Sequence, residues 1–223
     1  MSPTLAELGF DELADHLAGW FEHLLPHQAH RRLLVSARRE LSNGRPADLE
    51  RLAEAAGVSV GETLEFLREA GGEWDPSGSK LIGWGLTGTP TPRRYRTRGH
   101  DLFTWCAVDS ILFPVITGAE ASIESPCVTT GDLIQIDVTP AGVQRVEPAT
   151  AVVSIVTPPV EISEVRRAVC QAQNFYRSHD AAATWQAEHP DSLLLPVGEV
   201  FELYRRAWDR VFAGLVPDRS GRL

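Results

Sequence analysis

Residues 101–118, DLFTWCAVDSILFPVITG, form the most apolar long segment of the chain, yet they hold a thiol, Cys106, and a carboxylate, Asp109. Between Leu102 and Gly118 no other side chain is acidic or basic. A carboxylate in such company is costly to ionise, which predicts a raised pKa or a dedicated partner. If the run is one helix, Cys106 and Asp109 stand at i and i+3, on one face and within reach of a common third group. A soft nucleophile and a proton donor would then share a pocket. The competing reading is plain packing, since free cysteines are among the most buried residue types and most are inert. The aspartate is the harder of the two to explain by packing alone.

The elements that must position this pair follow from periodicity and punctuation. Leu102, Trp105, Ala107, Val108, Ile111 and Leu112 cover more than one face of a helix, so a helix buried nearly all round is predicted, stopped by Pro114. Upstream, residues 4–25 read as an amphipathic helix punctuated by Pro26, and residues 27–42 as a second. A third begins near Pro46 and ends before Gly57, and Ser59 with Glu62 forms a capping-box pattern for a fourth, reaching Ala70. Residues 73–75 and 81–86 look like a short hairpin. Helices followed by a hairpin are the order of a winged-helix module. Its presumed reading helix carries Glu62, Glu65 and Glu69 against Arg68, which would repel phosphates, so a structural or interaction role is favoured over DNA contact.

Residues 87–92 read as a linker, followed by Arg93, Arg94, Arg96 and Arg98, which either hold an anion or, the favoured reading, pair with the acidic surface. Beyond the central run the pattern changes to period two, with strands over 121–125, 133–138, 143–146 and 151–156 in an antiparallel meander. Residues 165–176 are strand or irregular core. Helices are predicted at 181–188 and 197–215, and residues 218–223 as a frayed tail. The fold class is therefore α+β: an N-terminal helical, winged-helix-like module over residues 1–90, then a core domain over 91–223, which holds Cys106 and Asp109, built on a mostly antiparallel sheet with flanking helices.

With 223 residues the chain can bury a substantial core, and its formal net charge of −9 argues against a nucleic-acid partner. No apolar run is long and clean enough to span a bilayer, and no basic-then-apolar leader is readable at the start, so no membrane role and a cytoplasmic location are expected. Cys106, Cys127 and Cys170, odd in number and widely spaced, should be thiols and not a disulfide framework or a zinc clip. A shared thiol site must be assembled by the fold. His23, His27 and His30 have metal-binding spacing on a continuous helix, but Pro26 interrupts it, so no metal is expected there.

The string LFTWCAVDSILFP at 102–114, Cys127 ahead of a Gly-containing turn, VRRAVC ending at Cys170, and Asn174-Phe175-Tyr176 closely resemble the alkylmercury (organomercurial) lyase family. The resemblance extends from about Gly44 to the last helix near Phe212; the first residues and 87–98 match poorly. It implies an enzyme that cleaves carbon–mercury bonds by protonolysis with two cysteines and an aspartate and no organic cofactor. Carried over, those residues are Cys106, Asp109 and Cys170, which would also hold the substrate or product mercury, with Cys170 on a distant strand. Cys127 matches a cysteine that looks structural in the family. Gln171 stands where some members have a second adjacent cysteine, and Phe103 where some have tyrosine, so neither an adjacent thiol nor a hydroxyl is available there.

Mercury is soft, and thiolates outcompete water, imidazole and carboxylate for it. Asp109 would take a proton from a thiol and return it to carbon. The resemblance further implies an organomercurial substrate, cytosolic thiols that accept Hg(II), and hand-off to a mercuric reductase. Trp105, Phe103 and Phe113 either line an apolar pocket for the organic group or are plain core. Rival readings are a thiol protein that binds or passes on a soft metal without chemistry, a metal-responsive regulator, and a thiol hydrolase drawing on His100 or His179. The decisive expectation is that Cys106 and Cys170 lie close enough to bind one metal ion together with Asp109.

Overall fold

The computed structural model describes residues 5–216. The chain opens with four helices, α1 (Phe10–Leu24), α2 (Gln28–Leu41), α3 (Leu49–Ala56) and α4 (Val60–Glu69). The expected first helix is split: Leu5–Glu7 form a separate 3-10 turn before α1, and Thr4 lies outside the described residues. Pro26 ends α1 as expected. On α4 the capping box is formed, with Ser59 Oγ accepting the Glu62 N–H at 3.2 Å and Glu62 Oε2 accepting the Ser59 N–H at 2.9 Å. Asp48, not Pro46, starts α3, its carboxylate taking the N–H groups of Glu50 and Arg51.

Strands β1 (Glu73–Trp74), β2 (Leu81–Trp84), β3 (Leu86–Thr87), β4 (Arg94–Thr97) and β5 (His100–Thr104) follow. The stretch expected to be a linker, 87–92, gives its first residue to β3 and is otherwise without strand or helix, and β4 follows it in the arginine-rich segment. Of the four arginines after it, two pair with the acidic surface, Arg94 with Glu124 at 3.7 Å and Arg96 with Asp101 at 2.9 Å, whereas Arg93 donates to the Trp105 carbonyl at 3.1 Å and Arg98 to the Thr117 carbonyl at 2.7 Å. With β6 (Ala121–Pro126), β7 (Leu133–Thr139) and β8 (Gly142–Glu147) these strands form one eight-stranded antiparallel sheet in the order β1-β2-β3-β5-β4-β6-β7-β8. The fourth strand of the expected meander, β9 (Val152–Ile155), leaves it and lies at the centre of a second sheet between β10 (Phe175–Tyr176) and β11 (Leu193–Pro196). All four β9 residues are buried, as a strand covered on both faces requires. Residues 165–176 resolve into a π-helical turn, Arg166–Cys170, and the short β10. Cys170 therefore ends a helical turn and does not sit on a strand.

Within the apolar run, residues 102–104 belong to β5, Trp105 and Cys106 make the turn, and helix α5 (Ala107–Thr117) begins after Cys106. One helix over the whole run does not form, because Leu102 and Thr104 bury one side of a strand paired with β3 and β4. Pro114 lies inside α5 and does not stop it. A proline in a helix interior costs about 3 kcal/mol, but burying Leu112, Phe113, Val115 and Ile116 contributes about 1.5–3 kcal/mol each. The helix ends three residues later at Thr117, with the C-cap Gly118 in the left-handed region at φ 67°.

Helix α6 (His179–Glu188) is capped by Ser178, and α7 (Val197–Val211) stops short of the expected residue 215. The expected frayed tail, 218–223, lies outside the described residues. The core lies around α5, which packs on α7, α2, β5 and β7, while α1 covers α7. Among the described residues no helix is long and apolar enough to cross a membrane.

One buried polar contact ties strand to helix beside the turn: the hydroxyls of Thr104 and Ser110 are 2.5 Å apart, and Ser110 Oγ also donates to the Cys106 carbonyl at 3.0 Å. Ser110→Ala leaves the Thr104 hydroxyl buried without that partner and is expected to cost about 1–3 kcal/mol, read as a lower urea midpoint with an unchanged m-value.

Candidate active site

Cys106, Asp109 and Cys170 come together: one ligand atom from each, the two sulfurs and a carboxylate oxygen, lie within 4.8 Å of one another. The expected pairing of Cys106 with Asp109 holds for a different local reason. Cys106 is the N-cap of α5, in extended backbone (φ −139°, ψ 171°), and its Sγ accepts the Asp109 N–H at 3.2 Å. The turn is pinned on one side by Trp105 N–H donating to the Gly85 carbonyl at 2.9 Å. On the other side Ala107 N–H donates to the Gln173 carbonyl at 3.0 Å, which draws in the loop that follows the π turn and brings Cys170 with it.

Gln173 was not foreseen as a site residue, and it organises the thiol. Its Oε1 accepts the Cys106 S–H at 3.4 Å, while its Nε2 donates to the Tyr204 hydroxyl at 3.1 Å. Only its closeness in sequence to Cys170 could have pointed to it.

Burial pushes the Cys106 thiol well above its ordinary value, and the neighbouring Cys170 thiol and the Asp109 charge push the same way. The single backbone N–H from Asp109 is outweighed, so the usual acidifying influence of a helix N-terminus loses here. Asp109 is raised as well, again through burial; Arg38, the Cys106 thiol and Arg93 oppose the shift without cancelling it. The residue as a whole is half-buried, reached through the pocket, but its Oδ2 is sealed and has no hydrogen-bond partner. The sequence-based expectation of a raised carboxyl is met.

The three groups open on a cavity of about 90 Å³. Its walls are apolar and aromatic, with Trp20 and Phe21 from α1, Trp84 from β2, and Tyr204 and Trp208 from α7. Of the three aromatics weighed for this pocket, Trp105 lines it; Phe103 stays on β5, and Phe113 lies beneath the Arg38 guanidinium at 5.1 Å. Trp105 is held by Glu73, whose Oε1 accepts its indole N–H at 3.1 Å and an Arg166 Nη2–H at 2.6 Å, with Arg166 lying 4.1 Å over the ring.

Arg38 is the second unforeseen residue: buried in α2, it lines the same cavity. A signal existed, because Arg38 occupies the apolar stripe of α2 between Leu34 and Leu41. Cys127 stays out of the group, its Sγ accepting the Arg177 N–H at 3.4 Å. The histidines also stay out. His27 and His30 pack edge to face, and His100 and His179 are exposed. Among the described residues the Cys106–Asp109–Cys170 group is the one cluster arranged to hold a metal ion.

The alkylmercury lyase (MerB) family model matches residues 86–208. The chain is 42% identical over 166 residues to an alkylmercury lyase of Staphylococcus epidermidis, covering 74% of this chain and 76% of that protein. It is 39% identical over 178 residues to an alkylmercury lyase of Streptomyces lividans, covering 79% and 82%. The fold is also similar to a crystal structure of the mercury-bound form of MerB2, with a TM-score of 0.71 at 21% identity, over 86% of this chain and 97% of that one.

Gln173→Leu removes the acceptor of the Cys106 thiol and the donor to the buried Tyr204 hydroxyl together. Stability is expected to fall by about 1–3 kcal/mol in urea unfolding. Alkylation of Cys106 by iodoacetamide in the folded protein should become faster, because the sulfur loses a restraint on its side-chain rotamer.

Proposed function

Because the chain belongs to the alkylmercury lyase family, we propose that Cys106, Cys170 and Asp109 together cleave the carbon–mercury bond of an organomercurial by protonolysis. The observation that carries this reading is the mutual approach of two sulfurs and a carboxylate oxygen within 4.8 Å, in a pocket otherwise walled by apolar and aromatic side chains.

The substrate arrives as R–Hg–X, with X a thiolate or halide. The Asp109 carboxylate takes the Cys106 proton; the thiolate formed bonds to mercury, and X leaves as the anion. Cys170 then adds through its own thiolate, losing its proton to the departing X or to solvent. With two thiolates donating into mercury, the bond to carbon weakens and breaks with its electron pair on carbon. Asp109 delivers its proton there and R–H forms. The balance is R–Hg–X plus two thiols giving R–H, a Hg(II) dithiolate and HX. No organic cofactor takes part in these steps.

Each environment suits its step. A carboxyl raised by burial holds the proton until carbon can take it. A thiol raised by burial needs a base at hand, and the Asp109 carboxylate lies in the same 4.8 Å group. The cavity of about 90 Å³ is smaller than the roughly 150 Å³ cavity known to take benzene. A methyl or ethyl group enters without rearrangement, whereas an aryl group needs the aromatic walls to give.

We assign the helices and hairpin of residues 1–90 to one module and residues 91–223 to the catalytic core. The module supplies Trp20, Phe21 and Arg38 to the pocket, and the acidic residues of α4, Glu62, Glu65 and Glu69, would repel the phosphates of DNA. Release of Hg(II) from two thiolates requires competing thiols, either small cytosolic thiols or the cysteines of a mercuric reductase, and a cytoplasmic location fits both.

The test is hydrocarbon release. Purified protein incubated with methylmercury or phenylmercury and excess 2-mercaptoethanol should release methane or benzene catalytically, detected by gas chromatography. Cys106→Ala, Cys170→Ala and Asp109→Ala should each reduce release by at least about 100-fold. Tight mercury binding without hydrocarbon would assign the site to metal transfer instead.

A pH dependence follows from the raised thiol. Mercury must displace the Cys106 proton at neutral pH, so apparent Hg(II) affinity should rise with pH, by about tenfold per unit for each thiol proton displaced. Competition titrations over the neutral range read this slope, and Cys106→Ala should lower it by one proton.

A further inference from the structure

Arg38 is only 8% exposed, and its guanidinium lies over two aromatic rings, 5.0 Å from the centroid of Trp84 and 5.1 Å from that of Phe113. Both Nε and Nη1 are buried and donate to nothing. Among the described residues no carboxylate comes within ion-pair distance of it, although Asp109 is close enough to act on it through charge. Its neighbours are not left this way: Arg39 donates to the carbonyls of Ile116 and Leu215 at 2.9 Å each, and Arg166, the other arginine of the pocket wall, meets Glu73 at 2.6 Å. A buried cation with idle donors is expensive, and it persists where an anion repays the cost at some stage of function.

Resting on the lyase reading above, we propose that Arg38 is a carboxylate-binding residue of the organomercurial pocket. On this assignment the site takes mercurials that carry a carboxylate, either on the organic group or on the thiol that delivers the metal. Arg38 lines the cavity shared by Cys106, Asp109 and Cys170, so an anion attached to the substrate reaches it without leaving the pocket. A guanidinium offers a planar fork of N–H donors, the geometry that suits a planar carboxylate. Five N–H donors are enough for such a ligand alongside Asp109. Gly85 keeps the approach open. A Cβ there would stand 3.1 Å from Arg38 Nη2 and 3.4 Å from Asp109 Oδ1, at a backbone φ of 80° that disfavours side chains in any case.

The experiment measures kcat/KM for wild type, Arg38→Met and Arg38→Lys on three substrates. These are phenylmercury carried by 2-mercaptoethanol, 4-carboxyphenylmercury carried by 2-mercaptoethanol, and phenylmercury carried by mercaptoacetate. Wild type should prefer at least one carboxylated substrate by about tenfold or more. Arg38→Met should abolish the preference, and Arg38→Lys should keep part of it. The arm that shows the preference identifies whether the carboxylate belongs to the organic group or to the carrier thiol. No preference in wild type, or an equal loss on all three substrates in Arg38→Met, would overturn the proposal and leave Arg38 as a counter-charge to Asp109. Wild type that cleaves none of the three defeats the lyase reading itself. Mercury-free titration of wild type decides the proposal in that case, and also if Arg38→Met fails to fold. Benzoate or acetate, but not benzamide or acetamide, should change tryptophan fluorescence through Trp84, whose ring centroid is 5.0 Å from the Arg38 guanidinium; equal silence from all four overturns the assignment.

Discussion

The Cys106 sulfur accepts the backbone N–H of Asp109, and this one contact decides how the site is built. It makes the thiol the cap of α5, so the residue that would bind the metal is fixed by the start of a helix and not by a flexible side chain. The same turn aims the first turn of α5, and with it the Asp109 carboxylate, at the cavity. Strand β5 holds the entry to the turn through its pairing with β3 and β4, and the Gln173 carbonyl holds the exit. Cap, carboxylate and second thiol then share one origin. A shift of the turn would move all three.

Much of this was legible because chemistry and burial conflict in the sequence. One carboxylate in a long apolar run must be explained, and Cys106 and Asp109 are close enough in sequence to meet in almost any compact local structure. The capping box of α4 and the break at Pro26 were readable for the same local reason. Residues 102–104 were misread because a short, fully apolar run has no period of its own. Tertiary pairing made them strand, and burial on every side carried α5 through Pro114. The short strands on either side of residues 88–92, β3 and β4, escape notice because they are defined only by their partners β2, β5 and β6.

The rest depends on convergence, which spacing does not encode. Cys170 reaches Cys106 through a π-helical turn and a loop anchored on β9, where Ser154 Oγ donates to the Ala172 carbonyl at 2.6 Å and accepts the Asn174 N–H at 2.9 Å. Nothing in residues 165–176 announces that path; family resemblance alone pointed to Cys170. Gln173 is invisible for the same reason, since its importance lies in two partners 67 and 31 residues away. Arg38 is different. Its place on the buried stripe of α2 is a periodicity signal, obscured by an adjacent arginine on a helix that is otherwise polar outside.

The pocket resolves a tension that a single ionisable group could not. A thiol that binds mercury should be a thiolate, yet burial that excludes water raises it. A carboxyl that protonates carbon should be an acid, yet it must first act as a base. Placing both groups within one 4.8 Å cluster lets the proton be exchanged between them, so that neither needs an ordinary pKa. Burial then helps both halves of the reaction: the thiol proton leaves only when mercury is there to replace it, and the carboxyl proton stays where carbon, not water, can take it. The apolar walls that make each ion costly alone are, in the proposed mechanism, what couples metal binding to proton delivery.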